Sequence, residues 1–144
     1  MDTKAKADKL HRKVKNFILT CMGEDGYPMN KAVVPGRHRE SLNELYFTTN
    51  TSSKFADAIT KNQKGSVYFY HKIMMSWKGC TLKGNFEIVD DMELKQKYWR
   101  NLFKGAYPGK AYTCPDFCLV KFVPTSGRLY ANYTVEDFEI KKGE

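Results

Sequence analysis

The chain has 144 residues, of which 42% are hydrophobic and 28% are charged, and its formal net charge is +8. This length allows one domain with one core, and no stretch approaches the eighteen or so apolar residues that a membrane span needs. The N-terminal sequence MDTKAKADKLHRKVK lacks the apolar run of a secretory signal. We therefore expect a cytoplasmic protein with no membrane partner.

The positive charge raises the alternative of a nucleic-acid-binding protein, since clustered lysine and arginine neutralise phosphates. Its distribution argues against this class of partner. Six of the basic residues lie between Lys4 and Lys15, on a segment that we expect to be a solvated helix. The same excess of positive charge can bind a smaller anion, such as a phosphorylated cofactor. We therefore expect no nucleic-acid partner.

The N-terminal segment 1–15 is predicted to hold a helix, because Leu10 and Val14 recur four residues apart on one face. A single domain is expected over 16–140, with a tail at 141–144. The runs NFILTC and MNKAVV flank Asp25-Gly26, a pair typical of a β-hairpin. A third strand is predicted at ELYFTT.

A short amphipathic helix, KFADAITKN, follows, and Ser52 or Ser53 is positioned to be its N-cap. The later runs SVYFYHK, SWKGCTLKGNFEIVDD and DFCLVKFVP are rich in β-branched and aromatic residues, which favour strands. Asp90 as N-cap and Glu93 at N3 predict a second helix. Its apolar positions are Leu94, Tyr98 and Leu102. About six strands joined mainly by tight turns favour a mainly β, mostly antiparallel fold, a small closed barrel more than an open sandwich.

The segment from Thr48 to Ser53 places five hydroxyl groups in six positions and is followed by Lys54. A cation in the first turn of a helix opposes the helix dipole, whereas a phosphate at a helix N-terminus is stabilised by the same dipole and by unpaired amides. This pattern is consistent with a phosphate site. The alternative is a polar loop with an ordinary serine cap and a solvated lysine.

The stretches FILTCMGEDGYP, ELYFTTNTSSKFADAITKN, SVYFY and WKGCTLKGNFEIVDD together resemble the pyridoxamine 5'-phosphate oxidase-like family of FMN-binding split barrels. The resemblance covers 16–124. It implies a six-stranded antiparallel split barrel with short flanking helices, which binds FMN at the interface of a homodimer. True pyridoxamine phosphate oxidases of the family have a longer C-terminal segment with basic residues, whereas this chain ends YTVEDFEIKKGE, so oxidation of pyridoxamine phosphate is left open.

The resemblance also implies roles for individual residues. The FMN phosphate would be held by the strand-to-helix segment, at Thr48, Thr49, Ser53 and Lys54. Lys31 stands where the family more often has an arginine on the phosphate side, and the backbone near Val33 would run along the flavin ring. Lys78 and Gly79 would lie beside the pyrimidine edge of the ring, where a cation would stabilise reduced flavin. A solvated strand lysine is the alternative for Lys78.

The cysteines and histidines provide weaker patterns. Cys114 and Cys118 are close in sequence, but a zinc site needs about four ligands, and Cys21, Cys80, His38 and His71 are scattered. We expect no metal site and reduced thiols. His71 could donate a proton beside a flavin, or it could be merely a polar residue at a strand end.

Two functions follow from the resemblance. The first is an FMN-dependent oxidoreductase that moves hydride or electrons between a donor, for which NAD(P)H is a candidate, and a small substrate. No residue is identified as a catalytic acid or base. The alternative is a module of the same fold that holds FMN, haem or another ligand for storage, sensing or electron relay without turnover.

Overall fold

In the computed structural model, the described residues are 1–36, 38–39, 41–107, 109 and 111–142. These residues form three α-helices, seven strands and one short 3-10 helix. In chain order the elements are α1 Thr3–Lys13, β1 Phe17–Met22, β2 Pro28–Val33, β3 Leu45–Asn50, α2 Lys54–Lys61, β4 Lys64–Ile73, β5 Ser76–Val89, α3 Met92–Tyr98, the 3-10 helix Asn101–Gly105, β6 Phe117–Ala131 and β7 Thr134–Glu139.

The seven strands form one antiparallel sheet. Its order is β2-β1-β4-β5-β6-β3, and β7 pairs with the second half of β6. The mainly β, antiparallel fold with short helices is therefore confirmed, with β7 as a strand that the sequence did not predict. Among the described residues no ladder joins β2 to β3. The sheet is therefore not closed, in contrast to the closed barrel that the tight turns favoured, and it is consistent with the split barrel that the resemblance implies.

Alternation of side chains places one face of the sheet in the core. Phe17 on β1 and Phe69 on β4 are fully buried, with their ring centroids 5.1 Å apart. In the same core, the ring centroids of Phe86 and Phe122 lie 4.7 Å apart. Such aromatic pairs add to the free energy gained from burial of their surface. The helix α2 packs Phe55 against Phe86 at 5.4 Å.

The hairpin of β1 and β2 has the predicted turn. Gly26 has a φ of +83°, which glycine adopts without steric cost, and the Gly23 amide donates to the Tyr27 carbonyl over 2.9 Å. The first helix ends at Lys13, two residues before the predicted end, because Val14 is extended. Leu10 and Val14 are both buried, as expected from their spacing.

The prediction for the second helix was partly wrong. Its N-cap is Asp91, not Asp90, since the Asp91 carboxylate accepts from the amides of Glu93 and Leu94 at 2.9 and 3.3 Å. The helix ends at Tyr98. Leu102 therefore belongs to the separate 3-10 helix and is 67% exposed.

Candidate functional site

The turn from Asn50 to Ser53, which joins β3 to α2, is held by the segment that precedes β6. The Thr51 amide donates to the Asp116 carbonyl, and the Ser52 amide donates to the Asp116 carboxylate, both over 2.9 Å. The Asn50 side-chain amide donates to the same carboxylate over 2.6 Å. The hydrogen bonds that the carboxylate accepts from Asn50 and from Ser52 lower the pKa of Asp116. The ionised carboxylate therefore fixes the shape of the turn.

The helix α2 begins directly after this turn, and Ser53 is its N-cap. The Ser53 hydroxyl accepts from the Ala56 amide over 3.1 Å and from the Thr49 hydroxyl over 3.3 Å. The prediction that Ser52 or Ser53 caps the helix is confirmed for Ser53. The amides of Lys54 and Phe55, in the first turn, have no carbonyl partner within the helix. They are donors for an anion at this end.

Lys31, on β2, approaches the Thr49 and Ser53 hydroxyls from the opposite edge of the split in the sheet. Its ammonium group donates a hydrogen bond to the Thr49 hydroxyl, and its other two donors have no acceptor among the described residues. Lys31 is half-buried. Loss of solvation lowers its pKa, and the neighbouring Cys118 acts in the opposite direction. A cation, two hydroxyls and a helix N-terminus thus meet where β2 and β3 face each other.

A cavity of about 240 Å³ lies beside these groups, between the two edge strands. Of the predicted site residues, Lys31, Val33, Thr48 and Thr49 line it. Thr49 faces the core at 5% exposure, whereas Thr48, one residue earlier on the strand, points to the opposite face. Further lining residues are Tyr46, Tyr98, Arg100, Phe103 and Tyr107. The cavity therefore combines polar groups at one end with aromatic walls.

Tyr107 connects the aromatic part of the cavity lining to Thr49. Its hydroxyl donates to the Thr49 carbonyl over 2.9 Å, and burial raises the pKa of Tyr107 to about 12. The phenol therefore stays protonated and keeps this hydrogen bond at neutral pH. Its ring lies 5.1 Å from Phe117, edge to face, which fixes the side chain from the other side.

The remaining predicted residues lie elsewhere. Lys54 is exposed in the first turn of α2 and does not line the cavity. Lys78 lines a different cleft, against α1, together with His71. Gly79 is buried on β5, where an added Cβ would lie 2.6 Å from the Tyr68 hydroxyl. One copy of the chain therefore does not bring Lys78 and Gly79 to the cavity that contains Lys31 and Thr49.

The sequence did not indicate three of the residues that shape this region. Asp116 and Tyr107 hold the turn and the wall, and Arg100 adds a cation to the cavity lining. A signal for Asp116 was present in CPDFC, because an aspartate after proline commonly accepts backbone hydrogen bonds in turns. Arg100 and Tyr107 follow α3 in irregular structure, where no periodicity shows which way a side chain points.

All four cysteines are buried free thiols, as expected: Cys21, Cys80, Cys114 and Cys118. Burial raises the pKa of Cys80 to about 12 and also raises the pKa of Cys21 and Cys118. These thiols are therefore protonated at neutral pH. Within the described ranges, no three histidine, cysteine, aspartate or glutamate side chains are grouped to hold a metal ion. In the same ranges no helix is long and apolar enough to cross a membrane.

Comparison with known families decides the assignment of the chain. The model of the family described as pyridoxamine 5'-phosphate oxidase like matches residues 2–142. The chain belongs to this family. The pyridoxamine 5'-phosphate oxidase-like fold agrees with the open antiparallel sheet and with the expectation from the sequence.

Solved structures of similar shape include members of the family. A protein from Clostridium acetobutylicum related to general stress protein 26 of B. subtilis, of the pyridoxinephosphate oxidase family, is 27% identical, with a TM-score of 0.82 and 97% of each chain covered. A pyridoxamine 5'-phosphate oxidase-related, FMN binding protein from Nostoc punctiforme is 18% identical, with a TM-score of 0.68 and 96% of each chain covered.

A heme binding protein from Mycobacterium smegmatis also has this fold. It is 13% identical, with a TM-score of 0.77, and the match covers 96% of this chain and 58% of that one. At this identity the likeness concerns the fold alone. No curated protein matches the chain in sequence.

Proposed function

We propose that the protein binds FMN between β2 and β3 and uses it as an oxidoreductase. One observation carries the proposal. The Lys31 ammonium group and the Thr49 hydroxyl line an aromatic cavity, and the Ser53 hydroxyl at the start of α2 lies 3.3 Å from the Thr49 hydroxyl. A phosphate suits the cation and the donors, and a flat ring system suits aromatic walls.

Each of these residues has a role in the proposal. Lys31, Thr49 and Ser53 would bind the phosphate, together with the first amides of α2. Lys54 is the first residue of α2, and its long, exposed side chain would extend to the phosphate. Thr48 and Val33 line the cavity, where the backbone of β2 would lie along the ring. FMN, when bound, supplies the hydride and electron transfer.

The separation of the predicted residues supports a homodimer. Lys78 and Gly79 lie on β5, outside the cavity formed by β2 and β3 of the same chain. They would reach the flavin of a second copy if the site lies at a two-fold interface, in which each subunit contributes one part of both sites. We therefore propose two equivalent FMN sites, each built from both subunits. NAD(P)H is the proposed electron donor, and a small molecule is the substrate.

The alternative is a ligand-binding module without turnover, including one that holds haem. Haem iron needs an axial histidine, cysteine, methionine or tyrosine. The described lining of the cavity contains tyrosines but no histidine, cysteine or methionine. Burial raises the pKa of Tyr46 and Tyr107, which opposes formation of the phenolate that would bind iron. These features favour FMN over haem.

Two measurements test the proposal. The first is the absorption spectrum and FMN titration of the purified protein, in which we expect saturable binding of one FMN per chain. The second is NADH or NADPH oxidation by the FMN-loaded protein, which we expect to exceed that of free FMN. Saturable FMN binding without faster oxidation would support an FMN-binding module without turnover. Absence of FMN binding would refute both the FMN-dependent oxidoreductase and that FMN-binding module, and would leave a module that holds another ligand.

A further inference from the structure

A second cleft, of about 400 Å³, lies between α1 and the ends of β4, β5 and β6. Two lysines of α1, Lys9 and Lys13, face Lys78 and His71 across it. Leu10 and Leu129 are also part of its lining, and each is only 5% exposed. The cleft therefore has a cationic rim over an apolar floor. It shares no described lining residue with the cavity between β2 and β3.

Three of the four lysines of the rim have no ion-pair partner among the described residues. Lys6, which also lines the cleft, has Glu136 at 3.9 Å. For Lys9, Lys13 and Lys78, no carboxylate oxygen lies within 4.0 Å in the part of the chain that the structure describes. Like charges that surround a concave surface raise the positive potential inside it. An anion that enters would be attracted by several ammonium groups at once.

We propose that this cleft binds an organic anion of small size, with a carboxylate, sulfonate or phosphate group and an apolar body. The charged group would contact Lys9, Lys13 and Lys78, with His71 as a further hydrogen-bond donor, and the apolar body would cover Leu10 and Leu129. The volume is that of a small-molecule site. An extended polyanion would instead use cations along an open surface and would leave an apolar floor uncovered.

This site goes beyond the proposed FMN function. Lys9 and Lys13 have no role in the proposed FMN site, whereas Lys78 belongs to both proposals and its strand partner His71 is a candidate proton donor beside a flavin. Anion binding in the cleft can therefore be measured on protein without added FMN, and FMN binding can be measured on cleft variants that retain Lys78. Failure of one proposal is thus distinguishable from failure of the other.

The experiment uses the fluorescent anion anilinonaphthalene sulfonate and its uncharged analogue phenylnaphthylamine as probes of the full chain. The test variant is Lys9→Gln with Lys13→Gln. The matched control is Lys15→Gln with Lys64→Gln, which removes the same charge from exposed positions outside the cleft. A third variant, Ala131→Phe, fills the cleft and keeps every lysine.

We expect the test variant to raise the Kd of the sulfonate at least about tenfold, equivalent to about 1.4 kcal/mol, while the control changes it little. Ala131→Phe should weaken binding as well, and the uncharged analogue should bind more weakly than the sulfonate. FMN affinity should be the same in the test variant and the wild type. Circular dichroism of each variant verifies that it is folded.

Three results would overturn the proposal. Equal loss of sulfonate binding in the test variant and the control would show that overall charge, not the cleft, attracts the probe. Unchanged binding in Ala131→Phe would place the probe elsewhere. Loss of DNA-duplex binding in the test variant, with sulfonate binding intact, would assign the lysines to nucleic acid.

Discussion

Lys31 on β2 donates a hydrogen bond from its ammonium group to the hydroxyl of Thr49 on β3. These two strands are the ends of the sheet path and share no ladder in the described chain. The contact is therefore a side-chain link across the split of the barrel. It places a cation beside the capped start of α2, where Thr49 in turn contacts Ser53 at 3.3 Å.

Replacement of Lys31 by methionine keeps much of the side-chain volume and removes the charge. A charge-assisted hydrogen bond contributes about 1.5–3 kcal/mol, so we expect the Kd for FMN to rise about 10- to 150-fold. Quenching of flavin fluorescence during titration measures this change. Lys64→Met, at the exposed start of β4, is the control and should bind FMN like the wild type. Equal affinities of the two variants would remove Lys31 from the site.

Two substitutions of Ser53 separate its capping role from its proposed phosphate role. Ser53→Ala removes both, so we expect a loss of about 1 kcal/mol in unfolding free energy together with weaker FMN binding. Ser53→Asp retains a good N-cap but repels a phosphate. It should keep the stability of the wild type, measured by urea unfolding, and lose most FMN affinity. Strong FMN binding by Ser53→Asp would contradict the phosphate site.

Asp116→Ala should loosen the turn that precedes α2. The carboxylate accepts from the Ser52 amide and the Asn50 side chain, so its loss frees both groups and costs preorganisation of the phosphate donors. We expect the FMN Kd to rise severalfold. Asp137→Ala, which removes the exposed partner of Arg128, is a matched control. If both variants bind FMN equally well, Asp116 does not position the site.

The dimer proposal predicts complementation between two defective variants. Lys31→Met and Lys78→Met should each bind FMN weakly, because each damages both sites of its own homodimer. After the two are unfolded together and refolded as an equal mixture, heterodimers contain one intact site, so about one site in four should recover strong binding. Titration of the mixture measures the recovery. No recovery would show that both lysines act in the same subunit or that Lys78 does not act at all.

His11 should make stability depend on pH. Its ring is fully buried in α1, with Nδ1 2.7 Å from the Asp8 carbonyl. Burial lowers its pKa and outweighs the opposing effect of the Asp8 carbonyl and carboxylate. The unfolded chain, with an ordinary histidine pKa of about 6.5, therefore binds a proton first as pH falls. The stabilising contribution of neutral His11 is complete above that pH and declines below it.

The measurement is urea unfolding at pH 7.5 and at pH 5.5, conditions on either side of about 6.5. The wild type should lose more unfolding free energy between them than His11→Phe, which offers an apolar ring beside Phe69, now 6.3 Å from the imidazole. Identical pH dependence in the two proteins would show that His11 does not control it.

The parts of the structure that follow from local chemistry were predictable. The Asp25-Gly26 hairpin and the Ser53 cap depend on residues close in sequence, and both are present. The strand β7 was missed because TVEDFE has little apolar alternation and five of its six residues are exposed. It forms by pairing with the long β6. The N-cap of α3 was assigned to Asp90 instead of Asp91 because either aspartate satisfies the sequence pattern.

The site was predictable only in part, for a geometric reason. The roles of Lys31 and Thr49 were predicted only from the resemblance to the family. Their contact depends on how the two edge strands β2 and β3 meet across the split. Thr48 and Thr49 both line the cavity, although neighbouring residues of a strand face opposite sides. Asp116 acts from 64 residues away along the chain from Ser52, a separation that no local pattern reveals.

The most direct test of the phosphate site is the ratio of the Kd for riboflavin to the Kd for FMN, because the two ligands differ only in the phosphate. With a cation, two hydroxyls and a helix start as donors, we expect FMN to bind at least about a hundredfold more tightly, about 2.7 kcal/mol. Lys31→Met should reduce the ratio. Equal affinity of the wild type for both ligands, or no saturable binding of either, would contradict the proposal that this end of the split barrel binds a phosphate.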